Sequence, residues 1–126
     1  MLSAVCSVNW PKKSKSKLFE CLWFLGFINL TLGLTAKFYV KDGCESKFRE
    51  AIKKNVDFSK TEVGVRHYKL HADFKNSLIF WLIEEWDSVS DLRNHCTSDA
   101  YVQNSKILLA NLEDPTCQIG LYKALD

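Results

Sequence analysis

The 126-residue sequence predicts an α+β fold, because strand-like and helix-like segments follow one another in the order β-α-β-β-α-β. Residues 32–40 alternate between apolar and polar side chains, which is typical of a strand with one buried face. Residues 48–56 instead repeat apolar side chains every three or four positions, which is typical of an amphipathic helix. This order of elements predicts the ferredoxin-like arrangement, a four-stranded antiparallel sheet with its helices on one face.

The first four elements are separated by short segments that favour turns. Residues 41–43 (KDG) end the first strand, and the first helix is predicted over residues 44–58. Gly64 lies in the loop that leads to the second strand, residues 65–73. A polar hairpin turn at residues 74–77 then joins this strand to the third.

The third strand, residues 78–86, is apolar on both faces, so both faces are expected to be covered. Two helices are predicted next, and Pro115 ends this helical region. Their candidate N-cap residues are Ser88 or Ser90 for the first helix and Ser98 or Asp99 for the second. Residues 116–125 are predicted as the last strand.

The face of the sheet that carries no helix needs a partner, because the third strand is apolar on that side too. Apart from the N-terminal tail, a chain of this length has nothing left to cover it. A second copy of the protein would supply the missing layer. The sequence therefore predicts a homodimer that forms through the sheet face.

The composition is that of a soluble globular protein and gives no sign of a nucleic-acid partner. The net charge is +2, and four lysines that contribute to it are confined to residues 12–17. The five cysteines are scattered without CxxC spacing, which argues against a disulfide framework and against a zinc site. Free thiols indicate a reducing compartment, so a cytoplasmic location is expected.

Residues 1–29 form a separate N-terminal extension, basic at first and then apolar. If the first strand belongs to the fold, the apolar part shrinks to residues 18–28, which is too short to span a bilayer. We expect a short amphipathic or buried helix there. Association with a membrane through this segment is the alternative.

Three short stretches resemble motifs of the antibiotic biosynthesis monooxygenase superfamily, also known as the dimeric α+β barrel group. The stretches are AKFYVKDGCESKFREAI (36–52), SKTEVGVRHYKL with Glu62, Gly64 and Tyr68, and EEWDSVSDLRNH with Glu84, Trp86 and His95. Each motif is weak alone, but the three occur in the family's order and spacing. The resemblance extends from about residue 30 to the C-terminus and makes residues 30–126 one domain.

The resemblance implies a dimer of ferredoxin-like chains with a pocket between sheet and helices in each chain. Members of this superfamily include cofactor-free oxygenases of quinols and anthrones, haem-degrading enzymes and proteins with no known reaction. Haem degraders usually carry an asparagine on the first strand, where this chain has Ala36. We therefore expect no haem, and the likeness to the cofactor-free oxygenases implies no other cofactor.

The candidate site lies at the end of the third strand. Glu84 and Trp86 share one strand face, and His95 follows on the next helix. We predict that His95 is the base or proton shuttle for a phenol or an enol, with Glu84 as its orienting partner. Trp86 would form a flat wall for an aromatic ligand, and Trp86 and His95 would border one cavity. The remaining predicted substrate contacts are Tyr68, Phe80 and Ala36.

These patterns predict a cofactor-independent monooxygenase for a quinol-like or other enolisable small molecule. The alternative is a non-catalytic dimeric module that binds a small molecule, in which Glu84 and His95 are a structural pair and Trp86 belongs to the core. No metal is expected, because His67 and His71 lack a third ligand at a useful spacing.

Overall fold

The computed structural model describes residues 31–115 and 117–125. The expected helical extension at residues 1–29 lies outside the described residues. The elements are β1 Leu32–Tyr39, α1 Glu45–Ser59, β2 Val65–Ala72, β3 Ile79–Trp86, α2 Val89–Thr97, α3 Asp99–Ala110 and β4 Gln118–Lys123. None of these three helices is long and apolar enough to cross a lipid bilayer.

The four strands form one antiparallel sheet in the order β2-β3-β1-β4. This confirms the α+β fold and its ferredoxin-like order. The register pairs Leu34 with Glu84 and Phe38 with Phe80, so the same face of both central strands is buried. Because side chains on a strand alternate between faces, this register fixes which residues meet the helices.

The hydrophobic core lies between this sheet face and the helices. Phe48 of α1 packs between Phe38 and Phe80, with ring centroids 5.4 and 5.0 Å away. Aromatic pairs at such distances add to the stability that burial provides. The buried side chains that β1 and β3 contribute are Leu34, Ala36, Phe38, Phe80, Leu82, Glu84 and Trp86.

Two serines begin the short helices after β3, as the sequence predicts. The Ser88 hydroxyl accepts a hydrogen bond from the Asp91 N–H at 3.1 Å, and the Ser98 hydroxyl accepts one from the Tyr101 N–H at 3.3 Å. Such caps satisfy main-chain donors that a helix leaves unpaired at its start. The first cap fixes where α2 begins. The buried face of this helix carries Leu92, His95 and Cys96.

Among the described residues, no helix packs on the opposite sheet face, whose side chains are only partly buried. The Lys37 ammonium lies 5.0 Å from the centroid of the Tyr39 ring and 4.8 Å from that of Trp81. The Trp81 indole N–H donates to the Asp73 carboxylate at 3.0 Å. We refer to this surface as the open sheet face.

Candidate active site

His95 and Glu62 form the polar centre of the space between sheet and helices. The Nδ1 atom of His95 lies 2.5 Å from Oε1 of Glu62, and the two side chains are 1% and 14% exposed. Glu62 lies in the loop between α1 and β2. Because an ionised carboxylate only accepts hydrogen bonds, Nδ1 carries the proton and Nε2 of a neutral imidazole keeps its lone pair.

Burial keeps the imidazole neutral, so its Nε2 lone pair is available to accept a proton. Loss of solvent lowers the pKa of His95, and the hydrogen bond and charge of Glu62 oppose this shift only in part. The folded protein thus holds at neutral pH a histidine that can accept a proton. The carboxylate of Glu62 is placed to stabilise the imidazolium that would form.

Tyr68 of β2 adjoins the basic nitrogen. Its hydroxyl lies 3.5 Å from His95 Nε2, and the two ring centroids are 5.5 Å apart. Burial raises the pKa of Tyr68 well above its ordinary value, and the nearby Glu84 acts in the same direction. The phenol therefore stays protonated, and its one O–H proton has two acceptors within reach, His95 Nε2 and the Glu84 carboxyl group. Glu62, His95 and Tyr68 together are called the relay below.

Glu84 and Trp86 stand beside the relay on β3. The Trp86 indole N–H donates to Oε2 of Glu84 at 2.8 Å. Burial raises the pKa of Glu84 to about 8, although hydrogen bonds from Trp86 and Tyr68 lower it. Glu84 is thus largely a neutral carboxylic acid at pH 7. It acts as a hydrogen-bonding group there rather than as a buried anion.

The structure brings four of the predicted site residues together: Tyr68, Glu84, Trp86 and His95. It corrects two expectations about them. The carboxylate that binds His95 is that of Glu62 rather than that of Glu84, and the Trp86 and His95 rings do not face each other across a cavity. Their centroids are 4.8 Å apart, and both side chains are buried. The capped helix α2 lies directly on the end of β3, so the indole and the imidazole pack against each other.

The other two predicted substrate contacts lie deeper in the core. Phe80 packs on Phe48, and Ala36 is fully buried opposite Leu82. Both are on the sheet face that carries Glu84, two to four residues from it along the strand register. They belong to the hydrophobic core next to the polar side chains of Glu62, Glu84 and His95.

Sequence reasoning missed two neighbours of His95. Glu62 binds the imidazole from 33 positions away along the chain. Tyr101 of α3 packs its ring on His95 with centroids 4.6 Å apart. The only sequence signal for Glu62 was its place in the family-like motif with Gly64. No pattern marked Tyr101.

Gly64 holds the loop that carries Glu62 in place. Its φ of +84° is a conformation that residues with a Cβ rarely adopt. A Cβ built there would lie 2.3 Å from Cγ and Oδ2 of Asp91, the residue whose N–H donates to the Ser88 hydroxyl. The Gly64 carbonyl also accepts the Asp87 N–H at 2.7 Å. The loop and the first turn of α2 are therefore in close contact at this glycine.

Replacing Gly64 with alanine is expected to destabilise the protein by about 2–4 kcal/mol, which combines backbone strain with displacement of Asp91. Gly43→Ala is the matched control, because Gly43 has φ +77° but no atom within 4 Å of a built Cβ. It should cost only about 1–2 kcal/mol of backbone strain. Urea unfolding measures both variants, and equal losses would contradict the role assigned to the contact with Asp91.

Within the described residues, no three His, Cys, Asp or Glu side chains are grouped so that they could hold a metal ion. The polar atoms of the cluster instead bond to one another, as the pairs Glu62–His95 and Glu84–Trp86 show. The arrangement is suited to holding and moving protons.

The family model described as antibiotic biosynthesis monooxygenase matches residues 31–104, more than half of the chain. The chain belongs to this family. A search of curated proteins found no match.

Solved structures share the fold. A conserved protein from Methanosarcina mazei Go1 superposes with a TM-score of 0.71 at 24% identity, over 79% of this chain and 96% of that one. A Pseudomonas aeruginosa protein gives 0.70 at 25% identity, over 77% and 96%. A protein described as an antibiotic biosynthesis monooxygenase gives 0.71 at 21% identity, over 75% and 99%.

Proposed function

We propose that this protein is a cofactor-independent monooxygenase that acts on a quinol-like or other enolisable aromatic compound. The observation that carries the proposal is the buried relay, in which the Glu62 carboxylate orients His95 and Tyr68 adjoins the basic nitrogen. The lowered pKa of His95 supports a base that is unprotonated at neutral pH. Membership of the family supports the class of reaction.

In the proposed reaction, a proton of the substrate passes to the Tyr68 oxygen while the Tyr68 proton moves to His95 Nε2. The hydroxyl of Tyr68 lies 3.5 Å from His95 Nε2, which is the distance that this second transfer crosses. Removal of the proton leaves an electron-rich carbanion or phenolate, which transfers an electron directly to dioxygen. For an anthrone-like CH2 group, one oxygen atom enters as the new carbonyl, and the other leaves as water with both hydrogens.

The close packing of Trp86 on His95 favours a second candidate function, a non-catalytic module that binds a small molecule. In that case Glu62 and Glu84 orient buried rings and stabilise the fold. The two candidates differ in one respect that can be measured, namely whether the protein consumes oxygen when it meets an enolisable compound.

The proposed function is tested by following oxygen uptake with a panel of hydroquinones and anthrones. Monooxygenation predicts that one O2 disappears for each anthrone oxidised, with no accumulation of hydrogen peroxide. The same protein after heat denaturation is the blank. Rates equal to the blank for every compound would overturn the enzymatic proposal and leave the binding module.

We also propose that two copies pair through the open sheet face. Trp81 and Ile83 lie on this face, and the cation of Lys37 stands between two aromatic rings there. A lysine and aromatic side chains that are half-covered in one chain would be buried by a second sheet. The scattered cysteines favour the cytoplasm as the place where this dimer works.

Ile83→Asp is expected to convert the dimer into a monomer, because it places a carboxylate in the centre of the apolar contact. Ile107→Asp is the matched control, since Ile107 is 53% exposed on α3, away from the sheet. Sedimentation equilibrium measures the mass of each variant. A wild-type monomer, or dissociation by both substitutions alike, would contradict this interface.

A further inference from the structure

Three apolar side chains lie at the β4 end of the sheet, on the face that carries the helices. Leu121 lies opposite the buried Leu34 in the strand register, and Ile119 lies two positions before it, so both share the face of the core. Leu32 of β1 follows on the same face, beside the end of β4. We refer to Leu32, Ile119 and Leu121 as the apolar corner.

The described helices cover this corner only in part. Helix α1 lies against β2 and helix α2 against β3, and both strands are separated from β4 by β1. Leu34 of β1 is accordingly 3% exposed, whereas its neighbour Leu121 is 45% exposed. Leu32 and Ile119 pack against the core and are only partly buried. The corner therefore continues the core to a place where another apolar segment would be stabilised by burial.

The N-terminal extension joins the fold at this corner. The Thr31 carbonyl accepts a hydrogen bond from the Ala124 N–H at 3.1 Å, so the residue before β1 lies beside the end of β4. Residues 18–28 (LFECLWFLGFI) come just before it and are all apolar except Glu20 and Gly26. Residues 29–31 then link them to β1, and a connection of this length is common before a strand. The apolar segment is thus placed to fold back onto the corner.

Charge and length give the segment a direction on the sheet. Four lysines precede it within residues 12–17, and Glu113 and Asp114 are exposed in the loop just before β4. A segment that runs antiparallel to β1 brings its lysine end to this acidic loop. As a helix its 11 residues would extend about 16 Å, and the six residues of β4 extend about 20 Å. The segment therefore matches the corner in length and in the charges at its far end.

We infer that residues 18–28 pack on the apolar corner of their own chain, with the preceding lysines beside Glu113 and Asp114. This arrangement buries the apolar side chains of the segment and of β4 against each other. It does not depend on the proposed reaction.

The packing would also affect the candidate site. Leu34 lies between Leu121 and Glu84 in the strand register, so the corner is two strands away from the polar side chains. A segment packed there would shield Glu84 and Trp86 from water on the β4 side of the sheet.

The first test digests the whole protein with chymotrypsin and uses mass spectrometry to follow cleavage after Trp23 and Phe24. A synthetic peptide of residues 12–30 gives the cleavage rate of the free segment. The wild-type protein should be cleaved at least about tenfold more slowly than the peptide, because the protease acts on the undocked form. Leu121→Asp should raise the rate by about tenfold, since it places a carboxylate in the apolar contact. Ile107→Asp is the matched control on α3 and should keep the protection, because Ile107 is 53% exposed.

The second test traps the contact and does not depend on a destabilising substitution. Cys21 lies within the segment, and Leu121→Cys places a thiol on the corner. A disulfide forms only where the two Cα atoms come within about 7 Å. After mild oxidation, peptide mapping should find Cys21 bonded to the cysteine introduced at position 121 of the same chain. Ile107→Cys is the matched control and should form no such bond.

Several results would overturn the inference. They are wild-type cleavage at the rate of the free peptide, equal cleavage of the two aspartate variants, no bond at position 121, or equal bonding at both positions. Protection that disappears on dilution would mean that a second copy supplies the segment. Protection that appears only with phosphatidylcholine vesicles would mean that the segment binds a membrane instead. No substrate or oxygen enters these measurements, so a failure here is distinct from a failure of the proposed reaction.

Discussion

Replacement of His95 with alanine is expected to lower the rate of substrate-dependent oxygen uptake by about 10²–10⁴-fold, the usual contribution of a positioned general base. The imidazole is the only group in the relay that combines a lowered pKa with a carboxylate partner on one nitrogen and a hydroxyl on the other. Tyr68 retains its proton because of its raised pKa, so it cannot replace the missing base. Steady-state oxygen-electrode kinetics measure the effect.

Asn94→Ala is the matched control on the same helix, because Asn94 is exposed where His95 is buried. It should retain the wild-type rate. Glu62→Gln should fall between the two, since the amide keeps a hydrogen bond to Nδ1 but loses the charge that stabilises the imidazolium. An active His95→Ala protein with an unchanged rate would rule out the relay as the source of the reaction.

The stability of the protein is expected to fall as the pH rises from about 5 to about 8, because of Glu84. The folded pKa is about 8 and the ordinary value is 4.5, so the folded state holds a proton that the unfolded chain has released. The stabilisation is therefore complete below the ordinary pKa and is lost as the pH rises through the folded one. The slope is on the order of 1 kcal/mol per pH unit.

Glu84→Gln isolates this contribution, because the amide keeps an acceptor for the Trp86 indole without a titrating proton. Urea unfolding of both proteins between pH 5 and pH 8.5 gives the difference in the free energy of unfolding. The free energy of unfolding of the wild-type protein should fall relative to that of the variant as the pH rises. Parallel curves would mean that the carboxyl group titrates alike in the folded and unfolded states.

Much of the fold could be predicted from local patterns. The alternation in β1 indicated which residues are buried, and the structure confirms Leu34, Ala36 and Phe38. Ser88 and Ser98 indicated the starts of α2 and α3, because a serine hydroxyl satisfies main-chain donors that no helix can satisfy by itself. These features depend on residues close together in sequence, where spacing carries the information.

The site could be predicted only in part, because its contacts join distant segments. Alternation on β3 placed Glu84 and Trp86 on one face, and the indole does bond to the carboxylate. Nothing local links Glu62 to His95, which meet only after the loop before β2 packs against α2 at Gly64. The distance between the Trp86 and His95 rings likewise depends on how closely α2 approaches the sheet.

The central claim is that His95, oriented by Glu62, removes a proton from an enolisable substrate. Deuterium exchange under nitrogen tests this step most directly, because it separates proton removal from all oxygen chemistry. Anthrone is incubated in deuterated buffer with the wild-type protein or with His95→Ala, and NMR follows the loss of its methylene signal. The account predicts faster exchange with the wild-type protein than in buffer, and the buffer rate with His95→Ala. Exchange at the buffer rate with both proteins, or equally accelerated by both, would contradict it.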